Sequence, residues 1–80
     1  MKVQIWLWGH LTQYVPDNNK SKYRVLEASQ GTSIRKVLEH LKIPEWAVNL
    51  IFLNGVQAQD KEILKDGDRL TVFPRILVGG

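Results

Sequence analysis

Eighty residues make one domain, with no room for a second, catalytic one, and the absence of cysteine excludes disulfides, a thiol nucleophile and thiolate metal ligands. The net charge of +3 comes from lysines and arginines with acidic residues between them, an ordinary solubility balance that argues against a nucleic-acid partner. Met1 to Trp8 has no signal-peptide layout and no apolar run reaches the ~20 residues that cross a bilayer, so the expected location is cytoplasmic, with no membrane partner.

Val3, Ile5 and Leu7 alternate with Gln4, Trp6 and Trp8, the period of a strand with one face in the core. From His10 to Lys22 the chain is polar, and Pro16-Asp17-Asn18-Asn19 clusters turn formers, predicting a loop into a second strand over Tyr23 to Ala28 and hence a hairpin. Thr32, after Gly31, is the expected N-cap of a helix in which Ile34, Val37, Leu38 and Leu41 fall on one face. Pro44 blocks its extension.

Val48 to Leu53 is an apolar run ending in Asn54-Gly55, a pair suited to a turn whose central residues both have positive φ, so Val56 to Gln59 is expected to return as a short strand. Leu64-Lys65-Asp66-Gly67-Asp68 reads as a turn into a last strand. There Leu70 and Val72 alternate with Arg69, Thr71 and Phe73, and Pro74 is expected to stop regular pairing. The order predicts an α+β fold: a mixed sheet of four to five strands, one helix packed across one face and the other face uncovered. Residues 1–74 form the expected domain, and 75–80 are left as a flexible C-terminal tail.

If Val3, Ile5, Leu7, Leu70 and Val72 point at the helix, the pleat places Trp6, Trp8, Thr71 and Phe73 on the opposite face, joined by Phe52. Large aromatics on an uncovered face suggest a partner site formed by Trp6, Trp8, Phe52 and Phe73. Two other readings stay open: a homodimer face, and a cover supplied by the His10 to Lys22 loop through Leu11, Tyr14 and Val15.

Ile43-Pro44-Glu45, Leu53-Asn54-Gly55, Leu64-Lys65-Asp66-Gly67-Asp68-Arg69 and Phe73-Pro74 ending in Gly79-Gly80 together resemble the MoaD/ThiS family of ubiquitin-like (β-grasp) sulfur carriers. The resemblance covers nearly the whole chain. It departs at the tail: the commonest molybdopterin-type ending is Phe-Pro-Pro-Val-Ala/Ser-Gly-Gly, whereas Phe73-Pro74 is followed by Arg75-Ile76-Leu77-Val78, a longer and more apolar run. Molybdopterin synthesis, thiamin thiazole synthesis and other sulfur-transfer routes therefore all stay open.

What the resemblance implies is a carrier and not an enzyme. A separate adenylating enzyme would use ATP to attach AMP to the Gly80 carboxylate, a persulfide-derived sulfur would replace the AMP to leave a thiocarboxylate, and an acceptor synthase would take the sulfur. Arg75, Ile76, Leu77, Val78 and Gly79 would thread into the partner's active site, and the domain itself would bind no cofactor. The residues agree with that division of labour. No G-x-x-x-x-G-K-[S/T] loop and no Ser-His-carboxylate arrangement is present to activate the terminus in cis, and glycines without Cβ suit a narrow channel. The alternative is a ubiquitin-like modifier joined to lysines through Gly80, with Lys20, Lys22, Lys61 and Lys65 as candidate acceptors in other copies.

No metal site is expected. His10 and His40 fall on different elements, and Asp60, Glu62, Asp66 and Asp68 lack calcium-loop spacing and are expected to build turns. Glu27, Glu39 and Glu45 form no acid/base pair on one element.

Overall fold

The computed structural model describes residues 1–14 and 23–76. Five strands, β1 (Lys2–Leu7), β2 (Tyr23–Glu27), β3 (Val48–Leu53), β4 (Val56–Gln57) and β5 (Arg69–Pro74), form a single sheet in the order β2-β1-β5-β3-β4. The two chain-terminal strands, β1 and β5, are parallel neighbours at its centre, and every other pairing is antiparallel. One helix, α1 (Ile34–His40), completes the mixed α+β architecture.

The alternation read from the sequence is the pleat of this sheet. Val3, Ile5, Leu7, Leu70 and Val72 are buried in one core cluster with Ile34, Val37, Leu38 and Leu41 of the helical segment. The helix is seated at its start by the loop that follows β4: the Ile34 and Arg35 N–H groups donate to the carbonyls of Glu62 and Asp60 at 2.9 and 2.8 Å. First-turn donors without intrahelical partners are thereby satisfied.

Three local expectations are corrected. The N-cap is Ser33 and not Thr32: Ser33 Oγ accepts from Lys36 N–H at 3.2 Å, while the Thr32 hydroxyl donates to Ser29 O at 2.7 Å. The polar segment after β1 is not loop from its start, because Gly9–Tyr14 forms a 3-10 turn, with Leu11 N–H donating to Trp8 O at 3.1 Å. Pro74 belongs to β5, opposite Val48, although the register shifts between Val48 and Leu50. At the last strand position its missing N–H costs the ladder nothing.

Asn54 and Gly55 have φ of +53° and +84°, as their turn requires. The turn expected at Pro16 to Asn19, Val15 of the proposed cover, and the tail residues Leu77, Val78, Gly79 and Gly80 lie outside the described residues.

Candidate functional site: an open aromatic face leading to the tail exit

The face of the sheet turned away from α1 is organised in transverse rows by the strand registers. One row runs Tyr23, Trp6, Thr71, Phe52, Gln57 across all five strands, each residue being the pairing partner of the next. The adjoining row holds Trp8, Phe73 and Leu50: Phe73 pairs with Leu50, and Trp8 follows the Leu7–Val72 pair. Trp6, Trp8, Phe52 and Phe73 therefore do share one face, but their contacts divide them. Trp6 stacks on Tyr23 with ring centroids 4.6 Å apart, and its indole N–H donates to Gln4 Oε1 at 3.1 Å. Trp8 stacks on Phe73 at 5.9 Å, and Phe52 meets Phe73 edge-on at 5.6 Å. Phe73 is the hub, touching two of the other three rings.

Thr71 is the small residue in this aromatic surface. Around it lies a hollow of about 390 Å³ lined by Leu50, Phe52, Gly55, Thr71 and Phe73. The depression is apolar and bounded by the rings of Phe52 and Phe73. The alternative reading of a cover over this face is not met by Leu11 or Tyr14. Leu11 is 0% exposed inside the core cluster and Tyr14 packs against that cluster, while Trp8 remains 36% exposed. The physical reason is Gly9, whose φ of +58° turns the chain after Trp8 so that Leu11 enters the core.

The face ends where the tail leaves. After Phe73 and Pro74, Arg75 N–H donates to Ala47 O at 2.8 Å, and Arg75 O lies 3.3 Å from His10 Nε2. Ile76, the next residue, is 79% exposed. The structure thus joins Phe52, Phe73 and Trp8 through ring contacts, with Trp6 at their flank, and the chain leaves β5 beside them through Pro74, Arg75 and Ile76.

Three residues near the exit carried no sequence signal: Gly9, His10 as a tail contact, and Trp46. Trp46 is 58% exposed in the 3-10 turn Glu45–Ala47, next to the residue whose carbonyl holds Arg75. Its stretch has no periodicity from which a surface aromatic could be inferred.

Two of the sequence blocks on which the resemblance rested, Leu53-Asn54-Gly55 and Leu64 to Arg69, meet in one hydrogen-bond knot at the opposite end of β5 from the exit. Asn54 Nδ2 donates to Asp68 Oδ1 at 2.9 Å, Arg69 N–H to Asn54 Oδ1 at 2.9 Å, and Lys65 N–H to Asp68 Oδ2 at 2.7 Å. Asp66 accepts from Lys2 N–H and Glu62 from Gln59 N–H, both at 2.7 Å. These acidic residues are turn builders, as expected. The fourth, Asp60, holds Arg35 Nε at 3.0 Å, and Arg35 also reaches Glu45 at 3.4 Å. The hydrogen bond and charge of Asp60, with Glu45 beside them, push the Arg35 pKa upward. Arg35 lies on the rim of a second groove, about 400 Å³, between α1 and the β3–β4 edge. Among the described residues, no three His, Asp or Glu side chains come together as metal ligands, and no helix is long and apolar enough to cross a membrane.

Residues 1–77 match the model of a family described as Mut7-C ubiquitin. The chain belongs to that family. The ubiquitin-like recognition made from the Asn-Gly, Asp-Gly-Asp and Phe-Pro blocks therefore holds. Solved structures with the same fold include a putative molybdopterin converting factor, subunit 1, from Pyrococcus furiosus (24% identity, TM-score 0.70, covering 94% of this chain and 98% of that one). Another is subunit 1 of the molybdopterin-converting factor from Helicobacter pylori, solved in complex with subunit 2 (21% identity, TM-score 0.63, covering 99% and 100%). SAMP1 from Haloferax volcanii is similar over 99% of this chain and 100% of its own, with 16% identity and a TM-score of 0.72. No curated protein matches the chain by sequence.

Proposed function

We propose that this protein is a ubiquitin-like sulfur carrier that works through the carboxylate of Gly80, with no active site of its own. The observation that carries the reading is the continuity of the apolar face, through Phe73 and Pro74, with a hydrogen-bonded exit for the tail that ends in Gly79-Gly80. A docking surface beside a reactive end is what a co-substrate needs: the partner holds the domain on Trp8, Phe52, Phe73 and, at the flank, Trp6, while Arg75, Ile76, Leu77, Val78 and Gly79 reach its active site.

A carboxylate is a poor acyl donor and must first be activated. In the proposed sequence the Gly80 carboxylate attacks the α-phosphorus of ATP on a partner enzyme, releasing pyrophosphate and leaving an acyl adenylate. The terminal sulfur of a persulfide then attacks the carbonyl carbon and expels AMP, giving an acyl disulfide. A second thiol cleaves the S–S bond, becoming oxidised to a disulfide, and frees the thiocarboxylate. An acceptor synthase, of molybdopterin or thiamin type, takes the sulfur and returns the carboxylate. Because this chain has no cysteine, the persulfide and the reducing thiol belong to partners.

A second reading, a protein modifier joined to lysines, gains support from the likeness to the small archaeal modifier protein 1 of H. volcanii (16% identity, TM-score 0.73). Both readings use the same adenylate and part at the next step. Intact-mass spectrometry of the protein isolated from its own cells separates them: a gain of about 16 Da, sulfur for oxygen, marks the thiocarboxylate, and adducts of protein size mark conjugation. A chain whose function survives deletion of Gly79 and Gly80 would refute both.

A further inference from the structure

The geometry points to Gly9 as a positioning residue for the tail, a seat that aims residues 76–80 at the partner's active site; the inference rests on the carrier reading above. Gly9 ends β1's course with φ of +58°, and its α-carbon lies so close to the β5 terminus that a Cβ built there would stand 2.8 Å from Pro74 Cγ. The neighbouring atom belongs to a proline ring, which cannot swing aside as a flexible side chain can. Glycine is therefore required twice at this position, for the backbone angle and for the approach.

Gly9 does not act alone. Pro74 is pressed against it on one side, and the next residue is pinned on two more: Arg75 N–H to Ala47 O at 2.8 Å, and Arg75 O to His10 Nε2 at 3.3 Å. These anchors come from the turn after β1 and the turn before β3, so the exit is held from both flanks of β5. Beyond it, Ile76 to Gly80 span at most roughly 17 Å of extended chain. Where so short a segment starts limits where its end can reach.

The size of that error follows from the contact. Restoring ordinary van der Waals distance, 3.4–4 Å, from 2.8 Å moves Pro74 by about 0.6–1.2 Å. Misplacement of about 1 Å at a reacting group costs up to ~100-fold in rate, and compliance along the tether absorbs part of it. Gly9→Ala should therefore lower kcat for Gly80 adenylation about tenfold. KM should change by a smaller factor than kcat, because the collision falls on the Pro74 ring and not on the rings of the docking face.

The control is Gly31→Ala. Gly31 has φ of +86° with nothing within 4 Å of a built Cβ, and lies past the end of β2, at the end of the sheet opposite the exit. It imposes the same kind of backbone strain without the collision. Pro74→Ala tests the seat from the other side, free of positive-φ strain, and should lower kcat by a smaller factor, about threefold.

The assay is chain-dependent ATP–pyrophosphate exchange by the adenylating enzyme of the source cells, with the full-length chain as substrate. Folding of each variant is checked by its amide spectrum, and the Arg75 amide resonance should shift in Gly9→Ala and Pro74→Ala but not in Gly31→Ala. If wild-type chain supports exchange and the chain lacking Gly79-Gly80 does not, adenylation at Gly80, the step on which the carrier reading rests, stands. Equal kcat for Gly9→Ala, Pro74→Ala and Gly31→Ala would then overturn the seat alone. If wild-type chain supports no exchange, the carrier reading itself fails and the seat falls with it.

Discussion

Asp68→Asn is the sharpest test of how the motif residues hold this fold. The side chain of Asp68 is buried, and its two oxygens serve two donors: Oδ1 accepts from Asn54 Nδ2 at 2.9 Å and Oδ2 from Lys65 N–H at 2.7 Å. An asparagine is isosteric, and its oxygen can still serve Lys65. Its amide nitrogen would then face the Asn54 amide nitrogen, donor against donor. Asn54 cannot resolve the conflict by flipping, because its own Oδ1 accepts from Arg69 N–H at 2.9 Å. The substitution thus removes one charge-assisted bond and leaves two donors opposed in a largely buried setting. A hydrogen bond to a charged group contributes about 1.5–3 kcal/mol, so a loss of about 2 kcal/mol is expected. At about 4–8 °C per kcal/mol for a domain of this size, Tm should fall by roughly 8–16 °C.

Thermal and urea unfolding of both chains would measure the change, with Asp66→Asn as the comparison. Asp66 makes a single exposed bond, to Lys2 N–H, and its neutralisation should cost no more than about 1 kcal/mol. If Asp68→Asn matched Asp66→Asn, the knot between the β3–β4 turn and the start of β5 would be geometry without energetic weight. The conclusion that Asn54-Gly55 and Asp66-Gly67-Asp68 occur together for a structural reason would then be wrong.

Two further outcomes follow from the same contacts. Phe73→Ser should weaken binding to the adenylating enzyme by about 30-fold or more, the scale of an interface hot spot. Trp6→Ser should cost less, since its ring is already stacked on Tyr23 at the flank; calorimetric titration of both variants would settle the order, and the reverse ranking would displace Phe73 from the centre of the surface. Ser33→Ala, which removes the acceptor of Lys36 N–H, should destabilise the domain by about 1 kcal/mol in urea unfolding while leaving partner binding unchanged.

Much of the fold could be read from residue order because its determinants are local or periodic. Val3, Ile5 and Leu7, then Leu70 and Val72, declare a buried face by alternation alone, and Asn54-Gly55 declares its turn by the φ values it tolerates. That Trp6, Trp8, Phe52 and Phe73 share the opposite face also follows from the pleat, since successive side chains point opposite ways. The terminal glycines and the blocks before them carried the family.

What the sequence could not carry was every feature made by contact between distant segments. Nothing along the chain says that Trp6 is occupied by Tyr23 while Phe73 joins Trp8 to Phe52; strand order and register decide it. The sequence likewise reads Leu11 as part of a polar loop, whereas the turn at Gly9 delivers it to the core. The exit of the tail belongs wholly to tertiary structure: it joins Gly9 and His10 to Pro74 and Arg75, and those to Ala47, three segments brought together only because β1 and β5 are neighbours and β3 flanks β5. Periodicity reports which way a side chain faces, but only the folded sheet determines what it meets there.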